Sequence, residues 1–382
     1  MKLETAGPRS GPTILIVAGE ASGDLHGAGL ARGLKELAPG VILLGAGGHR
    51  MREAGVELVS ETTAHAAVGI VEAFHNLHHY SKLYRVLQSA LKSRRPDAVV
   101  LIDFPDFNLR FAERVHDHGI PIAYYISPQI WAWRAGRLKD IKRLVSKMIV
   151  ILDFEEKLYR DAGVEAVFVG HPLLDAFQAP DRDALRREFG GRPLIGLLPG
   201  SRGKQFAALF PLMLKAAGII SAELPEARYV VGCARGIDAA SAEKKAATAK
   251  VPVTLLWNRT ADVQAASDLL LTASGTSTLE AALHGTPMIV TYKLNPLTAM
   301  TLGPLIKTRT FALVNIVAGR EIMPEFYQSK AKPGLIAREA LSIIKDGRLD
   351  VMRRDLADVR RKLGAPGASK RAAAEVLKVA RA

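Results

Sequence analysis

The sequence predicts a two-domain α/β protein in which each domain is an open parallel sheet wound on both faces by helices. Three observations predict it. Short Val/Ile/Leu runs with little alternation recur along the chain, the pattern of strands covered on both faces. Segments with helical spacing separate them, which is the rhythm of a doubly wound sheet. The chain has 382 residues, more than one ordinary core accommodates, so about two domains are expected.

In the first half the strand candidates are 13–18, 41–45, 98–103, 120–126, 147–152 and 166–169. Helical spacing covers 27–37, roughly 70–92, 109–117 and 155–162. Residues 175–193 are polar and hold Pro180 and Pro193, so a hinge is expected near 178. A second series follows, with strands at 194–198, 228–231, 253–256, 269–272 and 288–292. The predicted domains are therefore 1–177 and 178–382. A basic helical tail from about 337 could pack back on the first domain. Ligands of open α/β sheets bind beyond the carboxyl ends of the strands, so two such edges facing across a hinge would form a cleft.

Composition narrows the class. Apolar residues make up 48% of the chain, enough for two real cores. A single cysteine, Cys233, excludes an internal disulfide and a cysteine-based metal cage, and fits a reducing cytosol. The first residues lack an apolar signal core, and no run reaches the ~18 apolar residues of a membrane span. The expected location is cytoplasmic. The net charge of +14 suits nucleic acid, anionic lipid or a phosphorylated substrate.

Five loops carry candidate chemistry. V-A-G-E-A-S-G-D-L-H-G at 17–27 spaces its glycines by four, which is not the dinucleotide fingerprint. Gly19 and Gly23 permit close approach, Ser22 and Asp24 suit a helix cap, and Glu20 is left for function. V-V-L-I-D-F-P-D-F-N at 99–108 ends a buried strand on Asp103, well placed as a general base. Y-Y-I-S-P-Q-I-W-A-W-R at 124–134 offers Ser127 and Gln129 as hydrogen-bonding groups and Trp131 and Trp133 as stacking or packing surfaces. A basic helix-like stretch, 134–147, follows it. L-L-P-G-S-R-G-K-Q at 197–205 is not a triphosphatase loop, because Gln205 stands where Ser or Thr is required. It is still a strand, a glycine loop (Gly200, Ser201) and a helix, with Arg202 and Lys204, which suits a diphosphate. In A-S-G-T-S-T-L-E at 273–280, Ser274, Gly275 and Thr276 suit a phosphate and Glu280 suits ribose hydroxyls. The histidines of H-N-L-H-H at 75–79 sit in an amphipathic segment, and no metal site is expected.

Together with G-I-V-E at 69–72 and A-G-R-E at 318–321, these stretches resemble the lipid-A-disaccharide synthase family nearly end to end. The resemblance implies a GT-B fold and a glycosyl transfer from UDP-2,3-diacylglucosamine to 2,3-diacylglucosamine 1-phosphate. The products would be the β-1,6-linked disaccharide 1-phosphate and UDP. It implies an inverting displacement that needs no metal or cofactor. Asp103 falls on the family's likeliest base, Glu20 on a rival base or orienting group, and Arg202 beside the UDP diphosphate. Ser274, Gly275, Thr276 and Glu280 match the donor loop. Asn315 matches a donor position, with Val314 where the family pattern has proline. Gly19, Ser22, Gly23, Asp24, Ser127, Gln129, Trp131 and Trp133 would serve the acceptor or sugar end. Because both substrates are acylated, the expected partner is the inner-membrane surface with its anionic lipid, and a homodimer is allowed. The alternatives are another GT-B enzyme of UDP-sugars, such as an epimerase or a transferase, and a basic nucleic-acid-binding protein. The second would need aromatic platforms among its basic residues, which only 131–134 approaches, so no nucleic acid partner is expected.

Overall fold

A computed structural model describes residues 11–62, 70–130, 136–293 and 310–381. They divide into two compact units, one reaching to Ala176 and resuming at Leu363, the other spanning Phe177–Lys362. The helices between Pro333 and Lys362 thus stay with the second unit. Only the last helix of the expected tail belongs to the first.

The first unit runs β1 (Thr13–Ala18), α1 (Ala21–Leu37), β2 (Ile42–Gly47), α2 (His49–Glu53), β3 (Glu57–Glu61), α3 (Ile70–Arg94), β4 (Ala98–Ile102) and α4 (Pro105–Asp117). It continues through β5 (Ile122–Tyr125), α5 (Arg137–Leu144), β6 (Lys147–Val150), α6 (Asp153–Asp161), β7 (Ala166–Phe168) and α7 (Leu173–Ala176). The second unit runs α8 (Arg182–Phe189), β8 (Leu194–Leu198), α9 (Gly203–Glu223), β9 (Arg228–Cys233), α10 (Ala239–Ala247), β10 (Thr254–Trp257), α11 (Thr260–Ala266) and β11 (Leu269–Ala273). It closes with α12 (Ser277–Leu283), β12 (Met288–Tyr292), α13 (Leu313–Ala318), β13 (Glu325–Tyr327), α14 (Pro333–Lys345) and α15 (Leu349–Lys362). The last helix, α16 (Ala368–Val379), packs on α1.

Both sheets are parallel, in the orders β3-β2-β1-β4-β5-β6-β7 and β10-β9-β8-β11-β12-β13. The central strands are buried along their whole length, as β1 (TILIVA) and β4 (AVVLI) illustrate. That is why they read as continuous apolar runs. In each sheet the strand order reverses once, at β1/β4 and at β8/β11. Chain leaving the two strands departs in opposite directions there, and a crevice opens at their carboxyl ends.

Two edge strands lie beyond the expected set. β3 (ELVSE) is only partly buried and carries an acid at each end, and β13 has three residues, so neither shows a strand pattern in sequence. The first helix also starts earlier than expected. G-E-A-S-G-D is not an extended loop but the entrance of α1, since the Asp24 N–H already donates to the Glu20 carbonyl at 2.9 Å. Helix α9 is long and apolar enough to cross a membrane by length and composition, contrary to the expectation that no segment would be. Half of its most apolar window is buried, and it packs on α14 as a core helix of its own unit.

The return of the chain to the first unit is pinned by one carboxylate. Asp175 Oδ1 accepts from the N–H groups of Gly367 (2.6 Å) and Ala368 (3.0 Å), and Oδ2 from Ser369 (2.9 Å). It satisfies the unpaired donors at the start of α16 from almost two hundred residues away in sequence. Replacing it by alanine (D175A) is expected to lower stability by about 1–2 kcal/mol. Amide exchange should accelerate along α16 first, which hydrogen-exchange mass spectrometry reads directly.

Candidate functional site

In the first unit the switch point brings two acids together. Ala18 pairs with Ile102 across β1/β4, so the residues that follow, Gly19-Glu20 and Asp103-Phe104, leave the sheet side by side. Phe104 lies over Gly19, where a Cβ would stand about 2.2 Å from the ring. Glycine is the residue that permits this contact.

Asp103 is held in an unusual backbone. Asp103 (φ 44°) and Phe104 (φ 47°) are both left-handed, which costs a non-glycine residue roughly 1 kcal/mol or more. The phenol of Tyr124 donates to the Asp103 carbonyl at 2.6 Å. The Asn108 Nδ2 donates to the same oxygen at 2.7 Å and to the Ile102 carbonyl at 3.2 Å. Pro105 then fixes the first turn of α4. Tyr124 and Asn108 are fully buried, so this brace is rigid.

The carboxyl of Asp103 opens into a cavity of about 1070 Å³. Its wall is aromatic. Phe104 and Phe107 stack at 5.4 Å between centroids, and Tyr80 meets them at 5.5 and 6.1 Å. Tyr84 meets Phe107 edge-on at 6.4 Å. Burial against this wall, and then the Glu20 carboxylate, push Asp103 up to about 6, against an opposing hydrogen bond from the Phe104 N–H. The aromatic residues were not expected from sequence. Tyr80 and Tyr84, like Phe107 and Phe111, are spaced i,i+4, the spacing of an ordinary buried helix face.

Several expected acceptor-side residues do other work. Asp24 is buried, and its carboxylate accepts from the N–H groups of Gly48 (2.7 Å), Met51 (3.0 Å) and Arg50 (3.2 Å). It anchors the start of α2 from within the protein interior. Ser127 is also buried, bonded to the Tyr159 hydroxyl at 2.6 Å and to the Pro128 carbonyl at 2.8 Å. Gly23 is buried inside α1, whereas Ser22 and Gln129 are exposed. Trp131 and Trp133 lie outside the described residues. Asp106, in the first turn of α4, pairs with Arg137.

The second unit repeats the geometry with different chemistry. Thr272 pairs with Leu198 across β8/β11, so the Pro199–Arg202 and Ser274–Thr276 loops emerge together. Gly200 (φ 112°) and Gly275 (φ 147°) adopt backbones that side chains disfavour, and the space over Gly275 is open. Arg202 is the N-cap of α9 and gives its first turn no side-chain acceptor. Its charge reaches the Tyr292 hydroxyl, whose pKa burial raises and Arg202 lowers. Ser201, Arg202 and Thr276 are exposed, and the Ser274 hydroxyl donates to the Phe311 carbonyl at 3.1 Å. Glu280 is partly buried, and burial raises its pKa against a 3.4 Å bond from Gln264.

Asn315, by contrast, is consumed internally. It is fully buried. Its Nδ2 donates to the Met323 carbonyl and the Glu325 carboxylate, and its Oδ1 accepts from the Ile322 and Met323 N–H groups. It ties α13 to β13 and offers nothing to a ligand. Among the described residues no group of three or more His, Cys, Asp or Glu side chains could hold a metal.

The family described as lipid-A-disaccharide synthetase matches residues 14–379. A lipid-A-disaccharide synthase of Syntrophus aciditrophicus is 44% identical over 370 residues, covering 95% of this chain and 97% of that one. The enzyme of that name from Geobacter sulfurreducens is 42% identical over 371 residues, covering 96% and 97%. Among solved structures, the glycotransferase of kitacinnamycin superposes with a TM-score of 0.65 at 18% identity, covering 96% of this chain and 99% of that one. UDP-GlcNAc 2-epimerase from Neisseria meningitidis bound to UDP-GlcNAc superposes at 0.64 with 13% identity, covering 96% and 100%. These two likenesses establish the GT-B fold.

Because the folded-state pKa of Asp103 lies above its unfolded value, its carboxylate costs stability once the pH rises through about 6, and nothing below about 3.8. Asp103→Asn is therefore expected to be more stable than wild type by on the order of 2 kcal/mol at pH 8. The gap should close as the pH falls to 4 or below. Urea unfolding at the two pH values measures it.

Proposed function

Since the chain belongs to the lipid-A-disaccharide synthase family and is a glycosyltransferase of lipid A biosynthesis, we propose that its first unit holds the acceptor, 2,3-diacylglucosamine 1-phosphate, and its second the donor, UDP-2,3-diacylglucosamine. The observation that carries this reading is the place of Asp103, at a switch point in an aromatic cavity where burial and the Glu20 charge push its carboxyl up to about 6. The acceptor's 6-hydroxyl gives its proton to the Asp103 carboxylate. The hydroxyl oxygen attacks the anomeric carbon of the donor from the side opposite UDP. The C–O bond to the β-phosphate breaks as the new one forms, so the α-linked donor becomes a β-linked product. Asp103 leaves the step protonated, and UDP takes the electron pair.

Glu20 has two roles in this account. Its charge keeps Asp103 basic enough to accept a proton, and its exposed carboxylate can orient the sugar by its hydroxyls. The aromatic wall of Tyr80, Phe104 and Phe107 covers the first part of an acyl chain. On the donor side, Gly200, Ser201 and Arg202 with Ser274–Thr276 carry the diphosphate. Arg202 and the uncapped first turn of α9 stabilise the charge that develops on UDP. Glu280 faces the ribose. Both substrates are lipids, so the protein works at the cytoplasmic surface of the inner membrane as a peripheral protein. The net charge of +14 supports attraction to anionic lipid there.

The test is turnover of purified protein with both acylated substrates, with the anomeric configuration of the product read by NMR. Asp103→Asn is expected to lower kcat by about 10²–10⁴ while remaining folded. Asn315→Ala should instead lose stability. Near-normal turnover in Asp103→Asn would remove the base assignment, and an α-linked product would remove the single displacement.

A further inference from the structure

The two proposed substrates share the same diacylated sugar. They differ at the anomeric position, where the donor carries UDP and the acceptor a phosphate monoester. The acceptor cavity therefore needs an element that reads this substituent, and its charge distribution contains one.

The cavity lies along two helices, α3 and α4. Tyr80 and Tyr84 on α3 and Phe107 on α4 form the apolar wall. Ser81 and Arg85 on α3, with Asp106, Arg110 and Glu113 on α4, form the polar rim. The acids of the rim are engaged, Asp106 by Arg137 and Glu113 by Arg143. The two arginines are not. Arg85 makes only a long 3.4 Å bond from Nε to the Ser81 carbonyl, and Arg110 is exposed with no hydrogen-bond or ion-pair partner among the described residues. Glu20, at the start of α1, and Asp103, just before α4, line the same cavity. Arg110 stands five residues beyond Pro105, about 7–8 Å along the helix axis, which is the scale of one sugar ring.

We infer that Arg110, assisted by Arg85, binds the anomeric phosphate of the acceptor and so selects the phosphorylated sugar for the first unit. The inference rests on the acceptor assignment made above. A guanidinium grips a phosphate monoester by two parallel N–H···O bonds. A sugar bound that way presents its far end, the 6-hydroxyl, toward Asp103. UDP-diacylglucosamine enters poorly in the same pose, because its phosphate is esterified and followed by a nucleoside that the rim must accommodate.

The experiment compares two acceptors, 2,3-diacylglucosamine 1-phosphate and the same lipid with a free anomeric hydroxyl, at saturating donor. In wild type the acceptor without phosphate is expected to show a KM about tenfold to a hundredfold higher, with little change in kcat. Arg110→Gln should raise the KM of the phosphorylated acceptor by a similar factor, leave the donor KM unchanged, and add little further loss for the acceptor without phosphate. Arg110→Lys should restore part of the loss, and Arg85→Gln should show a smaller effect of the same kind. An equal loss for both acceptors in Arg110→Gln, or an unchanged KM for the phosphorylated one, overturns the inference. If wild type forms no disaccharide from either acceptor, it is the underlying acceptor reading that fails. Circular dichroism keeps misfolding separate, because Arg110 is exposed and its replacement leaves the core intact.

Discussion

Parallel pairing in register at the two strand-order reversals is the constraint on which the rest depends. Ala18 beside Ile102 and Leu198 beside Thr272 fix where four loops leave their sheets. A slip of one residue would turn each strand over and send Asp103 to the opposite face. The register is enforced by strands buried on both faces, so the placement of the polar residues is a by-product of apolar packing. This is why one fold presents acids at one switch point and glycine-bearing loops at the other. The sheets supply the positions, and the first few residues beyond each strand supply the chemistry.

At the first switch point the molecule concentrates several unfavourable features in one place. Two consecutive residues are left-handed, a carboxylate faces aromatic rings, and a second carboxylate lies beside it. Each alone would be selected against in a region whose only task is to fold. Here they are braced by Tyr124 and Asn108, which fasten the strained carbonyl of Asp103 from below. The second switch point has no comparable strain in side-chain-bearing residues, because glycines occupy its positive-φ positions at 200 and 275.

Much of this was legible in sequence, for physical reasons that also explain the misreadings. Asp103 was legible because a carboxylate that ends a five-residue apolar run is at a strand's carboxyl end whatever the rest of the fold. The glycine loops at 200 and 275 were legible in the same way. The backbone partners of Asp24 and Asn315 were not legible, because a polar residue near a glycine motif can serve a ligand or a distant backbone, and local sequence looks the same in both cases. Their partners, Gly48 with Met51 and Ile322 with Met323, are set by tertiary structure. Ser127 was hidden likewise by Tyr159, thirty-two residues on. The aromatic wall and the rim arginines escaped notice because they come from two helices whose periodicity is satisfied by ordinary packing. Only their convergence on one cavity distinguishes them.

The central claim is that a carboxyl with a pKa raised by burial and by a neighbouring acid performs the proton abstraction. The pH dependence of kcat/KM tests it most directly, measured on wild type and on Glu20→Gln. Wild type is expected to lose activity as the pH falls through about 6, as Asp103 takes up its proton. Removing the Glu20 charge should move that acidic limb to lower pH, whatever it does to the maximal rate. A limb that stays in place in Glu20→Gln, or a wild-type profile that remains flat to about pH 5, would contradict the account.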